Sequence, residues 1–151
     1  MNKKKMLSLV AATMLSISVL AGCGNSDATD NSTLKDGKYE VESKTADERG
    51  YKSNLTMEVK NGKIASVNYD EVKEDGTGKK SDADYNKQMK DILGTNPEEA
   101  FKTLEDSVIQ KQSAEVDAVS NATNSSNAFK KFAAKAIENA QAGTTEKSII
   151  E

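Results

Sequence analysis

The sequence predicts an α+β fold: an antiparallel β-meander with helices packed on one face, forming a single small domain after a secretory leader. Three observations lead there. Residues 51–60 alternate apolar and polar side chains and run into Asn61-Gly62. Three helical periods follow, each with its own start and stop signals. At 151 residues, the chain has room for one modest domain and little else.

The strands come first. Asp36-Gly37-Lys38 opens a run in which Tyr39, Val41 and Ser43 share a face. In the next run Tyr51, Ser53, Leu55, Met57 and Val59 lie on one side, with Lys52, Asn54, Thr56, Glu58 and Lys60 on the other. That is a half-buried strand of period two. Asn61-Gly62 suits a type I′ turn, whose two central residues need positive φ. Ala65, Val67 and Tyr69 then alternate again, so residues 37–72 read as a three-stranded meander. Residues 73–81 (KEDGTGKKS) read as a charged loop. Gly76 and Gly78 lack the rest of a phosphate-loop pattern.

Helices fill the second half. Ser81 or Asp82 can cap a segment carrying Tyr85, Met89, Ile92 and Leu93, and Gly94 ends it. Asn96-Pro97-Glu98-Glu99 opens a second helix: Asn caps, Pro sits at the first helical position, and Glu follows three residues after the cap. Phe101, Leu104 and Val108 form its inward stripe. Phe129, Phe132, Ala133, Ala136, Ile137 and Ala140 mark a third helix of period 3.6, stopped by Gly143. Residues 143–151 read as a frayed tail.

The N-terminus has the pattern of an export signal. Lys3, Lys4 and Lys5 precede an apolar run from Met6 to Ala21, shorter than the roughly 20 residues of a membrane-spanning helix. It ends in Leu20-Ala21-Gly22-Cys23, which resembles the bacterial lipobox. In that motif the Cys thiol takes a diacylglyceryl group and becomes the first mature residue. Two acyl chains give stable anchoring where one does not. The expected organisation is therefore signal peptide 1–22, lipidated Cys23 with a flexible tether 23–35, folded domain 36–142 and tail. The polar tether spans on the order of 20 Å, which keeps the domain close to the membrane. The expected location is the extracytoplasmic face of the cell membrane. Loss of the three leader lysines moves the net charge from −3 to −6, a poor balance for nucleic acid or anionic lipid.

Composition excludes several chemistries. The chain has no His, no Trp and one Cys. A Ser-His-Asp triad, an imidazole metal site, an internal disulfide and a CxxC redox pair are all impossible. No residue pattern suggests a catalytic acid, base or metal ligand set. Small and hydroxyl-bearing residues instead crowd residues 116–128, just before the strongest helix. A helix N-terminus there offers backbone N–H groups and the positive dipole end to an anion such as phosphate. The alternative is that Ser120, Thr123 and Ser125 merely cap the helix.

Asp117-Ala118-Val119-Ser120-Asn121-Ala122-Thr123-Asn124-Ser125-Ser126 resembles the D-x-x-S-G-A-T-x-[ST]-S motif of the FMN-binding domain family. That family includes the NqrC and RnfG subunits of ion-pumping redox complexes and PplA-type lipoproteins of gram-positive extracellular electron transfer. Asp36-Gly37-Lys38-Tyr39, Gly50-Tyr51, Asn61-Gly62-Lys63-Ile64, Asp75-Gly76 and Asp84-Tyr85-Asn86 with Met89 are similar to the family as well. Together they cover residues 36–142.

The resemblance implies FMN joined to Thr123 through a phosphoester, installed from FAD by a flavin transferase. Ser125 and Ser126 would be phosphate donors. Asp117, Ser120 and Ala122 match the motif, and Asp117 would orient the loop or serve transferase recognition, with or without Mg²⁺. Asn121 stands where Gly is usual, and Asn is the non-glycine residue most at ease at positive φ. Tyr85 and Met89 would pack either on the flavin ring or in the core. Lys79 and Lys80 read as a solvated surface pair, which would favour a reduced anionic flavin only if close to it.

The implied role is an electron carrier and not an independent enzyme. A membrane NADH dehydrogenase or quinol would be the donor. Ferric iron or another flavoprotein outside the cell would be the acceptor. Two alternatives stay open: a non-redox lipoprotein whose flavin site is lost, and release of the leader residues from about Leu15 to Gly22 as a peptide pheromone.

Overall fold

The alternation at residues 51–60 builds the middle of a sheet. A computed structural model describes residues 33–151; the leader, Cys23 and the tether up to residue 32 lie outside the described residues. In chain order the elements are β1 Gly37–Ser43, β2 Tyr51–Lys60, β3 Lys63–Lys73, α1 Ala83–Leu93, α2 Pro97–Lys111, α3 Thr123–Ala142 and β4 Ser148–Ile150. The sheet order is β3-β2-β1-β4. The first three strands pair antiparallel, as the meander requires.

Asn61 and Gly62 both take positive φ, 54° and 70°. Asp36 fixes the turn by accepting from the Asn61 N–H at 2.9 Å and the Gly62 N–H at 2.8 Å. Just beyond the turn the pairing shifts: Glu58 faces Ser66, but Val59 faces Ile64. An unbroken period of two would put Ala65 inward with Val67 and Tyr69. The bulge reverses this, turning Ala65 to solvent and Ile64 into the core. One extra residue on one strand changes which side faces in. Gln112, at the end of α2, lends a side chain to the same irregularity. Its Oε1 accepts from the Ile64 N–H at 2.7 Å, and its Nε2 donates to the Ile64 carbonyl at 3.0 Å.

The core lies between the sheet and two helices. Tyr39, Val41, Leu55, Met57, Val59, Val67 and Tyr69 meet Phe101, Leu104 and Val108 of α2 and Phe129, Phe132, Ala133 and Ala136 of α3. Tyr69 is central, with edge-on aromatic contacts to Phe101 at 5.0 Å and Phe129 at 5.3 Å. Such pairs add roughly 0.5–1.5 kcal/mol beyond the area they bury. The alanines of α3 let that helix approach the sheet closely.

Residues 143–151 do not fray. Ser148–Ile150 form β4, parallel to β1, with Val41 opposite Ser148 and Ser43 opposite Ile150. The sheet is therefore mixed. Two β-branched residues cover the open edge of β1, and the Lys44 N–H donates to the Ile150 carbonyl at 2.8 Å. Three residues are too few for a strand period to show in sequence.

Helix α1 differs from the other two. Asp82 caps it by accepting from the Tyr85 N–H, and Gly94 closes it in the left-handed conformation. It contributes only Asn86 to the buried residues. Ile92 and Leu93 are 64% and 39% exposed. Its apolar side is left for something other than the core.

Candidate functional site

The segment before α3 is arranged by one buried hydroxyl. Ser126 is fully buried. Its Oγ accepts from the Val119 N–H at 3.0 Å and donates to the Ala122 carbonyl at 2.8 Å. Both valences serve the loop, so Ser126 is a fastener and not a phosphate donor. Asn121 takes φ 64°, where a β-carbon is strained and Asn is best tolerated. It does more than replace a glycine: its Nδ2 donates to the Leu93 carbonyl at 3.0 Å. That bond ties the loop to the last turn of α1.

Helix α3 starts without a side-chain cap. Ala122 holds the cap position and offers no oxygen, whereas Asp82 and Asn96 cap α1 and α2. The capping alternative for Ser120, Thr123 and Ser125 is thus set aside. The Ala122 N–H donates to the Val119 carbonyl at 3.0 Å, which leaves the N–H groups of Thr123, Asn124 and Ser125 to find partners from elsewhere, and the dipole there favours negative charge. Thr123 is exposed, at the first position of this uncapped end.

The uncapped end opens on a cavity of about 330 Å³, within the range of small-molecule sites. Asn121, Ala122, Thr123, Asn124 and Ser125 line one side. Tyr85, Met89 and Leu93 of α1 line another, with Phe101 beyond. Tyr85, Met89 and Leu93 are spaced four apart, so they share a helix face. Both Tyr85 and Met89 are half-buried on the cavity wall and not in the core. Among the motif residues, the structure brings Asn121, Ala122, Thr123 and Ser125 to the cavity. It leaves out Ser120, Ser126 and Asp117. Asp117 is fully exposed and pairs with Lys111 at 3.3 Å.

Two residues on the cavity wall carry no motif signal. Arg49 is the only arginine in the chain. Lys79, expected on a solvated surface, is 4% exposed. Its ammonium pairs with Glu71 and lies 4.3 Å from the centre of the Tyr51 ring. Residues 77–80 of the loop fold onto β3, while 73–76 stand in solvent. Asp70 accepts from the Glu71 and Lys80 N–H groups at 2.8 and 3.1 Å. Gly78 approaches so closely that a β-carbon would lie 2.2 Å from an Asp70 oxygen. Burial raises the Asp70 pKa above its ordinary value. Lys80 pairs with Glu105 at 2.8 Å, and Glu105 also accepts from the Tyr69 N–H.

Under the cavity runs a buried polar chain. Ser53 Oγ lies 2.9 Å from the Tyr69 hydroxyl, which donates to Glu71 at 3.1 Å, and Glu71 holds Lys79. Burial first, then the Glu71 charge, pushes the Tyr69 hydroxyl far above its ordinary pKa. It stays a neutral donor at any ordinary pH. Asn86 fastens the same region: its Nδ2 donates to the Lys79 carbonyl at 2.7 Å and its Oδ1 accepts from the Glu98 N–H at 3.1 Å.

An anion-ready helix end thus stands beside an apolar wall on a small α+β scaffold. Residues 50–138 match the FMN-binding domain family, and the chain belongs to it. It is 34% identical over 116 residues to the 15 kDa lipoprotein of Treponema pallidum (strain Nichols), covering 76% of this chain and 82% of that one. A Clostridium perfringens protein of known crystal structure superimposes with a TM-score of 0.75 at 43% identity, over 78% of this chain and 97% of that one.

Proposed function

We propose that this protein is a lipid-anchored flavoprotein, with FMN joined covalently to Thr123, that carries electrons outside the cytoplasm. The observation that carries the reading is the exposed Thr123 hydroxyl at the uncapped start of α3, facing a cavity with an apolar wall. FMN, when bound, supplies one- and two-electron transfer.

The remaining roles belong to the chain. The α3 backbone amides at Thr123, Asn124 and Ser125 face the phosphate end, where the dipole favours negative charge. Tyr85, Met89 and Leu93 give the ring an apolar wall and exclude water from it. Asn121 holds that wall to the attachment loop. Asp117 stays outside, exposed where a transferase can meet it. Attachment through the phosphate leaves the ring unaltered and removes dissociation, which suits a protein that cannot draw on cytoplasmic cofactor.

Membrane anchoring at Cys23 is supported by the lipobox and by the lipoprotein relative. Outside the cell membrane, the donor is a membrane NADH dehydrogenase or quinol and the acceptor an extracellular oxidant; both come from the family resemblance. The reading as a carrier and not an independent enzyme rests on the family alone.

The test is in-gel flavin fluorescence after denaturing electrophoresis, with the protein secreted alongside a flavin transferase. The wild-type band is expected to glow and the Thr123→Ala band to be dark. A dark wild-type band beside a bright control flavoprotein sinks the covalent reading and favours a lipoprotein without redox function.

A further inference from the structure

We propose that Arg49 and Lys79 make the cavity hold the two-electron-reduced flavin ring more tightly than the oxidised one. This rests on the FMN reading of the cavity. Net charge is the first observation. The protein is acidic overall, yet among the described residues no Asp or Glu lines the cavity, while Arg49 and Lys79 do.

The second observation is how Lys79 is fixed. Lysine is almost never fully buried unless paired. Here it is clamped between the Glu71 carboxylate and the face of Tyr51, and Asn86 holds its backbone carbonyl. Glu71 is fixed in turn by the Tyr69 hydroxyl. A buried pair of this kind adds little net stability, because desolvation offsets the attraction. What it does provide is an oriented dipole. Lys79 lines the cavity and Glu71 does not, so the positive end is the nearer one. Arg49 adds a second cation. It also borders a hollow with Glu74 and Asp75, so its charge is shared between the two places.

The chemistry follows from the charges. The neutral oxidised ring takes up two electrons and one proton, and the product carries one negative charge on its pyrimidine side. A fixed cation within a few ångströms in a low-dielectric site favours the charged product. Charge near the ring nitrogens is one of the means by which a protein sets flavin electronics. Arg49 and Lys79 are positioning charges here and take no part in bond making.

The experiment does not depend on covalent attachment. The full chain, prepared in detergent without a flavin transferase, is titrated with riboflavin under argon at pH 8, oxidised or reduced with dithionite. Riboflavin has no phosphate, so any cation preference reports on the ring. Reduced riboflavin is expected to bind at least tenfold more tightly than oxidised, equivalent to about 30 mV for a two-electron couple.

Arg49→Gln should reduce that ratio severalfold. Lys79→Gln with Glu71→Gln, which leaves no buried charge unpaired, should reduce it further. Circular dichroism of the variants checks that each is folded. Equal affinities for the two forms, a ratio unchanged in folded variants, or no riboflavin binding at all would overturn the proposal. A dark gel in the Thr123 test leaves this titration unaffected and bears only on covalent attachment.

Discussion

Asn121 is where the motif departs from its usual glycine, and the structure gives the departure a use. Its φ of 64° asks for Gly or Asn, and the side chain that Gly lacks binds the Leu93 carbonyl. Asn121→Gly should keep the loop and lose only that bond, a change of about 0.5–1.5 kcal/mol. Asn121→Val should lose the bond and strain the backbone as well, at about 1–3 kcal/mol for the conformation alone. Urea unfolding of both variants separates the two effects; equal losses would mean that the left-handed turn is not the constraint. The motif itself was legible at this scale, because residue types at fixed spacing carry it. Arg49 was not, since a single arginine before Gly50 has no spacing to be read. Its signal was rarity, one arginine among 21 basic residues.

Helix α1 shows what element-level patterns reveal and what they hide. Its caps, Asp82 and Gly94, were legible because capping chemistry is local. The apolar residues Tyr85, Met89 and Leu93 were legible as a face, but not as a cavity wall. Periodicity says that a face is apolar without saying what covers it. The helix is held by Asn86 and Asn121, through polar bonds, and not by core packing. Asn86→Ala should therefore loosen α1 and leave α2 and α3 folded. Amide hydrogen exchange is the measurement: protection should fall across Ala83–Leu93 with little change at Phe101 or Phe129. A uniform loss across the molecule would mean that α1 folds only with the core. The bulge at Ala65 and strand β4 escaped the sequence for related reasons. A bulge breaks the period it sits in, and β4 is defined by its parallel partner β1.

The described domain is a sheet covered by helices, and it presents one helix start without a side-chain cap. One acid-sensitive point is the β2–β3 turn. The Gly62 N–H, then the Asn61 N–H, lower the Asp36 pKa below its ordinary 3.8. A lowered folded pKa means stability that is present above the unfolded value and lost as pH falls through the folded one. Asp70 acts in the opposite sense: its raised pKa favours the folded state when protonated and weakens it as pH rises. Asp36→Asn should be less stable than wild type at pH 7, and the gap should narrow below pH 3.8. Thermal melts from pH 2 to 7 check this, and a constant gap would show that the turn is not the acid-sensitive point. Attachment of the flavin at Thr123 is open to fragmentation mass spectrometry. Protein co-expressed with a flavin transferase is digested with trypsin, and the peptide spanning residues 112–130 is sequenced. One FMN less one water, attached to Thr123, is the expected result. An unmodified peptide from a culture whose control flavoprotein is loaded, or FMN on Ser120 or Ser125 instead, would contradict it.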